Sequence, residues 1–433
     1  MLTFLEKQVT LAAIAIISMI VLFSPFNIMT ERKILILTNR VPYPLNDGGN
    51  LAMHAMIEGY NMMGWKVYLL SMNTSRHPVA EDIISGLYQH IHAFEWVNIN
   101  NDINKRNVIK NYLFSKEAEH VERFYQQPFE DKIVEVIAQF QPDVIQIESV
   151  YLTTYLPAIK HHSHAVKVLR MHNIEYHIWH GLGMKSTNKI KKRYFFNLTE
   201  RLKIFEREAW HKYDLVLPIT EKDSYHVKRL EKTVEMIVAP FSIDMAKTQI
   251  IFANQKWVGY HLGAMDWIPN RDGMRWFLKT VWPKIHNTIP KFEFYFAGRK
   301  MPEEFLDMSL PGVHCQGEVE NAAEFISDKK ILIVPVSTAG GIRVKILEAM
   351  AAGKIIITSP EGIKGIDAKV GDHYLLARNP EDYVRCIKWV IMNKEKAEQM
   401  GEEAKKLVFE KYEYKSVINK VIAELELLMK LRE

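Results

Sequence analysis

Only two cysteines, Cys315 and Cys386, occur in a chain of 433 residues. No disulfide framework and no cysteine-based metal spacing can be built from them, and a reducing compartment is expected. No His-Cys cluster and no Asp-x-Asp pair is present, so no metal site is expected. No Gly-x-Gly-x-x-Gly follows an early strand, which argues strongly against a dinucleotide-dependent oxidoreductase. The net charge of +5 is too small to mark a nucleic-acid binder, but it suits an anionic membrane surface or substrate. No internal repeat or low-complexity tract breaks the chain.

Charge is also missing from Leu11–Met29, LAAIAIISMIVLFSPFNIM. A spanning helix needs about 20 apolar residues, so this stretch is long enough to cross a bilayer. No small-residue cleavage site stands out, and an uncleaved anchor is expected. Lys7 precedes the run and Arg32-Lys33 follow it, which slightly favours a cytoplasmic C-terminal side. The alternative is a chain that starts at Met29, directly before the first strand.

What remains has ordinary composition, 48% hydrophobic and 25% charged. It is too long for one core, and two domains of roughly 200 residues are expected. Short apolar runs alternate with helical periods. Strands are expected at Lys33–Thr38, Lys66–Ser71, Pro142–Ile147, Val166–Met171, Tyr213–Pro218 and Val234–Ala239. Pro240–Asp244 reads as a hinge. Strands then return at Trp257–Gly263, Phe292–Ala297, Val313–Gln316, Ile331–Val336 and Lys354–Ser359, with helices at Asp272–Ile285 and Ala322–Ile326 and over most of Glu381–Glu433. This alternation argues for α/β domains with parallel sheets.

The densest signal is Val336–Gly365. A buried strand enters Ser337-Thr338-Ala339-Gly340-Gly341, and a helix follows with Arg343, Lys345 and Glu348 near its start. Adjacent glycines allow close backbone approach, a helix N-terminus offers free N–H groups, and two cations stand beside it. Glu348, two turns in, can accept from ribose hydroxyls. The pattern suits a nucleotide diphosphate.

Leu347-Glu348-Ala349-Met350-Ala351-Ala352-Gly353 resembles the donor-site segment of family 4 (group 1) glycosyltransferases. Many members carry a glutamate eight positions before Glu348, where this chain has Gly340. Gly-Gly-x-Arg-x-Lys-x-Leu-Glu-Ala-Met-Ala matches a branch of that family. The resemblance covers Lys33 to the C-terminus. It implies a GT-B fold: two Rossmann-like domains facing a cleft, here behind an N-terminal hydrophobic helix (residues 1–30). Residues 31–245 would form the acceptor domain and 246–433 the donor domain, with the final helices, Tyr414–Lys430 among them, crossing back.

The resemblance also implies roles. Gly48 and Gly49 would meet the donor diphosphate from the first domain, and Gly263, Arg299, Val319, Gly340, Gly341 and Glu348 would line the donor site. Arg343 and Lys345 would stabilise the leaving diphosphate. His172, at a strand end, would serve the donor sugar or the leaving group, and Asn173 and Glu175 would bind the acceptor. The expected reaction is sugar transfer from a nucleotide-diphosphate sugar to an acceptor hydroxyl, retaining, with no cofactor and no metal. The expected partners are a nucleotide-sugar donor, a glycan or lipid-linked acceptor and the inner face of a membrane, at the cytoplasmic face of the cell membrane. The alternative is an inactive, membrane-anchored sugar-nucleotide-binding protein. Met184–Trp210 is expected as one amphipathic basic helix with its aromatics inward, or as a membrane-surface contact.

Overall fold

The computed structural model describes residues 31–45, 48–102, 111–112, 115, 118–245, 255–337 and 342–432. The expected N-terminal anchor, Asp47 and the Gly340-Gly341 pair lie outside them. Among the described residues no helix is long and apolar enough to cross a membrane.

The first sheet contains β1 (Lys33–Thr38), β2 (Lys66–Thr74), β3 (Ala93–Ile99), β4 (Val144–Ile147), β5 (Val166–Met171) and β6 (Leu215–Pro218). The second contains β7 (Lys256–Leu262), β8 (Phe294–Ala297), β9 (Val313–Cys315), β10 (Lys329–Val334), β11 (Ile355–Thr358) and β12 (Leu375–Leu376). Every pairing between neighbouring strands is parallel. The first sheet is ordered β3-β2-β1-β4-β5-β6 and the second β12-β11-β10-β7-β8-β9. Renumbered within its own domain, the second repeats the first, the doubly wound order. Each sheet therefore reverses direction once, between β1 and β4 and between β7 and β10. Ligands of such sheets bind beyond the strand C-termini at these reversals.

The helices that bear on the site are α1 (Gly48–Met62), α2 (Glu119–Phe124), α3 (Glu175–Lys185), α4 (Lys189–Trp210), α5 (Ile268–Trp276), α6 (Val344–Ala351) and α7 (Tyr414–Lys430). Strand alternation splits the first core. Leu169 and Met171 of β5 enter the cluster beneath α4, while Val166 and Val168 enter the one beneath α1 and α7. Val417, Ile418, Val421 and Leu425 of α7 share that second cluster with Met56, Ile57 and Tyr60 of α1. The two helices approach closely at Gly59, where an added Cβ would stand 3.2 Å from Ile418 Cγ1. The chain entering α7 is pinned by Ile243, which donates to Tyr412 O at 2.8 Å and accepts from Tyr414 N at 3.2 Å.

Three of the expected elements take a different form, and β3 and β12 were not among those expected. Met184–Trp210 is not one helix: α3 ends at Lys185, and Asn188 caps α4 by accepting from the Ile190 and Lys191 N–H groups. Ser186-Thr187-Asn188 offers side-chain acceptors that compete with helical hydrogen bonds. The aromatics of α4 are half-buried, Phe195 against Trp179 and Phe196 against His180. Val234–Ala239 forms no strand, only a single bridge from Met236 to Val216. The helix expected from Asp272 starts at Ile268, since Pro269 suits a first turn, and carries a π segment over Phe277–Val281 just before Pro283, which has no N–H to donate.

Candidate functional site

At the reversal of the second sheet, β7 runs into Gly263 and β10 runs out toward Val336, and α6 starts at Val344. Lys345 lies in the first turn of α6. Its ammonium donates to Asn270 Oδ1 at 3.1 Å and lies 3.4 Å from His261 Nε2. His261 is fully buried in β7, and its Nδ1 lies 2.8 Å from Ile333 O. A carbonyl partner requires the proton on Nδ1, which leaves the Nε2 lone pair for Lys345. Burial, then the Lys345 charge, holds His261 well below its usual pKa, so it stays neutral. Lys345 itself is pushed down to about 7 by burial first and by Arg343 second, with Glu348 opposing. A Cβ at Gly263 would collide with the Lys345 ammonium and the Asn270 amide. The absent side chain is thus what admits the cation, and a Cβ at Gly298 would strike Gly263 O from below.

The other expected donor residues are placed differently. Arg343 is the N-cap of α6, 6% exposed, with its guanidinium 4.8 Å from the Trp267 ring centre; burial lowers its pKa and the Glu361 charge opposes that. Glu348 is open to solvent on the Lys345 face of α6, and the protein around it raises its carboxyl. Arg299 is paired with Asp266 at 3.0 Å on the surface. Val319 packs on the core cluster beside α6. Gly48 opens α1 and is exposed, and a Cβ there would meet nothing within 4 Å. Leu51 and Ala52 of α1 join the same cluster as Ile342 and Val344. That cluster links α1 of the first domain to the second.

At the reversal of the first sheet lies a cavity of about 360 Å³. Asn39 and Arg40 after β1, Arg76 after β2, Glu148 after β4 and His172 after β5 all line it. It gathers four expected residues, Gly49, His172, Asn173 and Glu175. His172 Nε2 lies 2.8 Å from Glu148 Oε2, which leaves Nδ1 for a substrate. Glu148 is fully buried and is held from behind by the buried Arg170, 3.7 Å away, and by Gln146, which itself accepts from Tyr60 at 2.8 Å. Glu175 accepts from the Tyr151 hydroxyl at 2.8 Å, and burial raises its carboxyl despite that bond. The first N–H groups of α3, those of Glu175 and Tyr176, donate to Glu206 of α4 at 3.0 and 2.9 Å. Burial pushes Glu206 up to about 8 against those two bonds.

Sequence reasoning missed Glu148, His261 and the cavity arginines, and it marked the tract Trp267–Asn270 without giving Asn270 a role. Glu148 had a signal, a carboxylate directly after a short, largely apolar strand. His261 had one too, a polar ring inside a buried strand.

Residues 258–393 match the family model for glycosyl transferases group 1. No curated protein matches the sequence. Sucrose-phosphate synthase from Thermosynechococcus elongatus superposes with a TM-score of 0.61 at 12% identity, covering 92% of this chain and 100% of its own. HepE of Anabaena in complex with UDP gives 0.59 at 14% identity, covering 91% and 99%. TarM gives 0.59 at 11% identity, covering 92% and 100%. The chain therefore has the two-domain GT-B fold of these glycosyltransferases, and its second domain carries the group 1 glycosyl transferase signature over residues 258–393.

Proposed function

We propose that the protein is a glycosyltransferase that moves a sugar from a nucleotide-diphosphate sugar to an acceptor hydroxyl. The observation that carries this reading is Lys345. Its ammonium stands in the first turn of α6, at the reversal of the second sheet, aimed by Asn270 and a neutral His261. A diphosphate there meets a cation and a helix N-terminus. As the glycosidic bond breaks, negative charge grows on the leaving diphosphate, and fixed positive groups stabilise it more than they stabilise the ground state. Glu348, on the Lys345 face of α6, is assigned to the ribose hydroxyls. Arg343 adds charge at the helix start from its place on Trp267.

UDP is the first nucleotide to test, because it is bound in the HepE structure. His172 is assigned to the reacting hydroxyl or the donor sugar through Nδ1, with Glu148 fixing its ring. Asn173 and Glu175 hold the acceptor. Retention of configuration, protein cations in place of a metal, and a setting at the inner face of a membrane complete the proposal. The charge-free run Leu11–Met29 supports the membrane setting. The test is release of nucleotide diphosphate from mixed nucleotide sugars with mixed acceptors. Binding without turnover would instead favour a sugar-nucleotide-binding protein.

A further inference from the structure

The cavity at the first sheet is lined by Arg40, Arg76 and Arg123, a set that a neutral sugar does not need. Arg123 comes from α2, and its side chain is only 9% exposed. Its Nε and Nη1 are buried and have no hydrogen-bond partner among the described residues. The nearest carboxylate oxygen, Glu119 Oε1, is 3.9 Å from Nε, beyond hydrogen-bonding distance. A buried guanidinium with unused donors is costly unless something fills them. Arg76 reaches the same place from the end of β2. It and Arg123 both act on Glu119 and on His120, whose ring burial and these two charges hold neutral. One carboxylate, Glu119, thus faces two guanidiniums. The two carboxylates that line the cavity are already hydrogen-bonded, Glu148 by His172 and Gln146, and Glu175 by Tyr151.

We propose that the acceptor carries an oxyanion, a phosphate or a carboxylate, which Arg123 and Arg76 bind while its reacting hydroxyl lies at His172. A guanidinium fork matches either group in two parallel hydrogen bonds. This assignment rests on the glycosyltransferase reading and narrows it from any hydroxyl acceptor to an acidic one.

Titration calorimetry on the full-length protein saturated with UDP tests it, with glucose 6-phosphate, glucuronate and glucose as probes. At least one charged sugar should bind tenfold or more tighter than glucose, the range of a charge-assisted bond, about 1.4 kcal/mol. The tighter of the two distinguishes a phosphate from a carboxylate. Arg76→Ala, at an exposed position, and Arg123→Met should each weaken that sugar about tenfold or more and leave glucose unchanged, while Arg123→Lys should recover part of the loss. Equal binding of glucose, unchanged binding in both variants, or no binding of any probe would overturn the proposal. UDP affinity is read separately. Its absence in the unaltered protein would overturn the donor assignment, while the comparison among the three sugars would still decide the oxyanion.

Discussion

Raising the pH above neutrality should weaken nucleotide binding, because Lys345 loses its proton sooner in the free protein than in the complex. In the free protein burial and Arg343 hold Lys345 down to about 7. A bound diphosphate lies against the ammonium and raises that value toward the ordinary lysine range. Below about pH 7 both states carry the proton, so affinity is flat with respect to this group. Above it the free state is deprotonated while the complex keeps its charge, and binding takes up one proton. Affinity then falls by up to tenfold per pH unit, about 1.4 kcal/mol. Calorimetry with UDP from about pH 7 to 9 avoids the second phosphate ionisation near pH 6. Lys345→Met should bind weakly with no such slope. Lys345→Arg, which keeps its charge, should lose the slope as well. Lys354 is also pushed down to about 7, but it donates to the Ile326, Ser327 and Lys329 carbonyls, so any contribution it makes persists in both variants. A flat profile in the unaltered protein, or an equal slope in Lys345→Met, would refute the placement of the diphosphate.

Four further outcomes are expected. Arg170→Met should destabilise the first domain by about 3–5 kcal/mol in urea denaturation, because it strands the buried Glu148 charge. Glu206→Ala should cost about 1–2 kcal/mol and lower the Tm, since two N–H groups at the start of α3 lose their acceptor, and Glu206→Gln should recover part of it. Transfer should survive EDTA, with full loss and rescue by Mg²⁺ as the opposing result. Removal of the segment up to Met29 should leave a folded, UDP-binding protein that no longer sediments with membranes. If it still sediments, the exposed Ile190 and the lysines at the start of α4 become the candidate contact.

Strands buried on both faces were legible as apolar runs, and Lys33–Thr38 and Val166–Met171 appear with the expected bounds. β3 was not, since AFEWVNI is half-buried at a sheet edge and alternates weakly. The helix break at Ser186–Asn188 was readable in its capping residues but was masked by the basic periodicity around it. In the second domain the apolar run of β10 and the cations Arg343 and Lys345 marked the start of α6, which the structure places at the reversal of the sheet. The aiming of Lys345 was not legible, because His261 and Asn270 reach it from 84 and 75 positions away in the chain. The arginine set of the cavity was hidden for the same reason. Arg40 follows β1, Arg76 follows β2 and Arg123 lies within α2, and only the fold brings them together.

The most direct measurement is nucleotide diphosphate release by the full-length protein with UDP-sugars, in the presence and absence of an acceptor pool. The account predicts release that depends on acceptor, falls at least about tenfold in Lys345→Met through loss of a charge-assisted contact, and falls in His172→Ala with UDP affinity preserved. UDP binding with no release under any acceptor, or release unchanged in Lys345→Met, would contradict it.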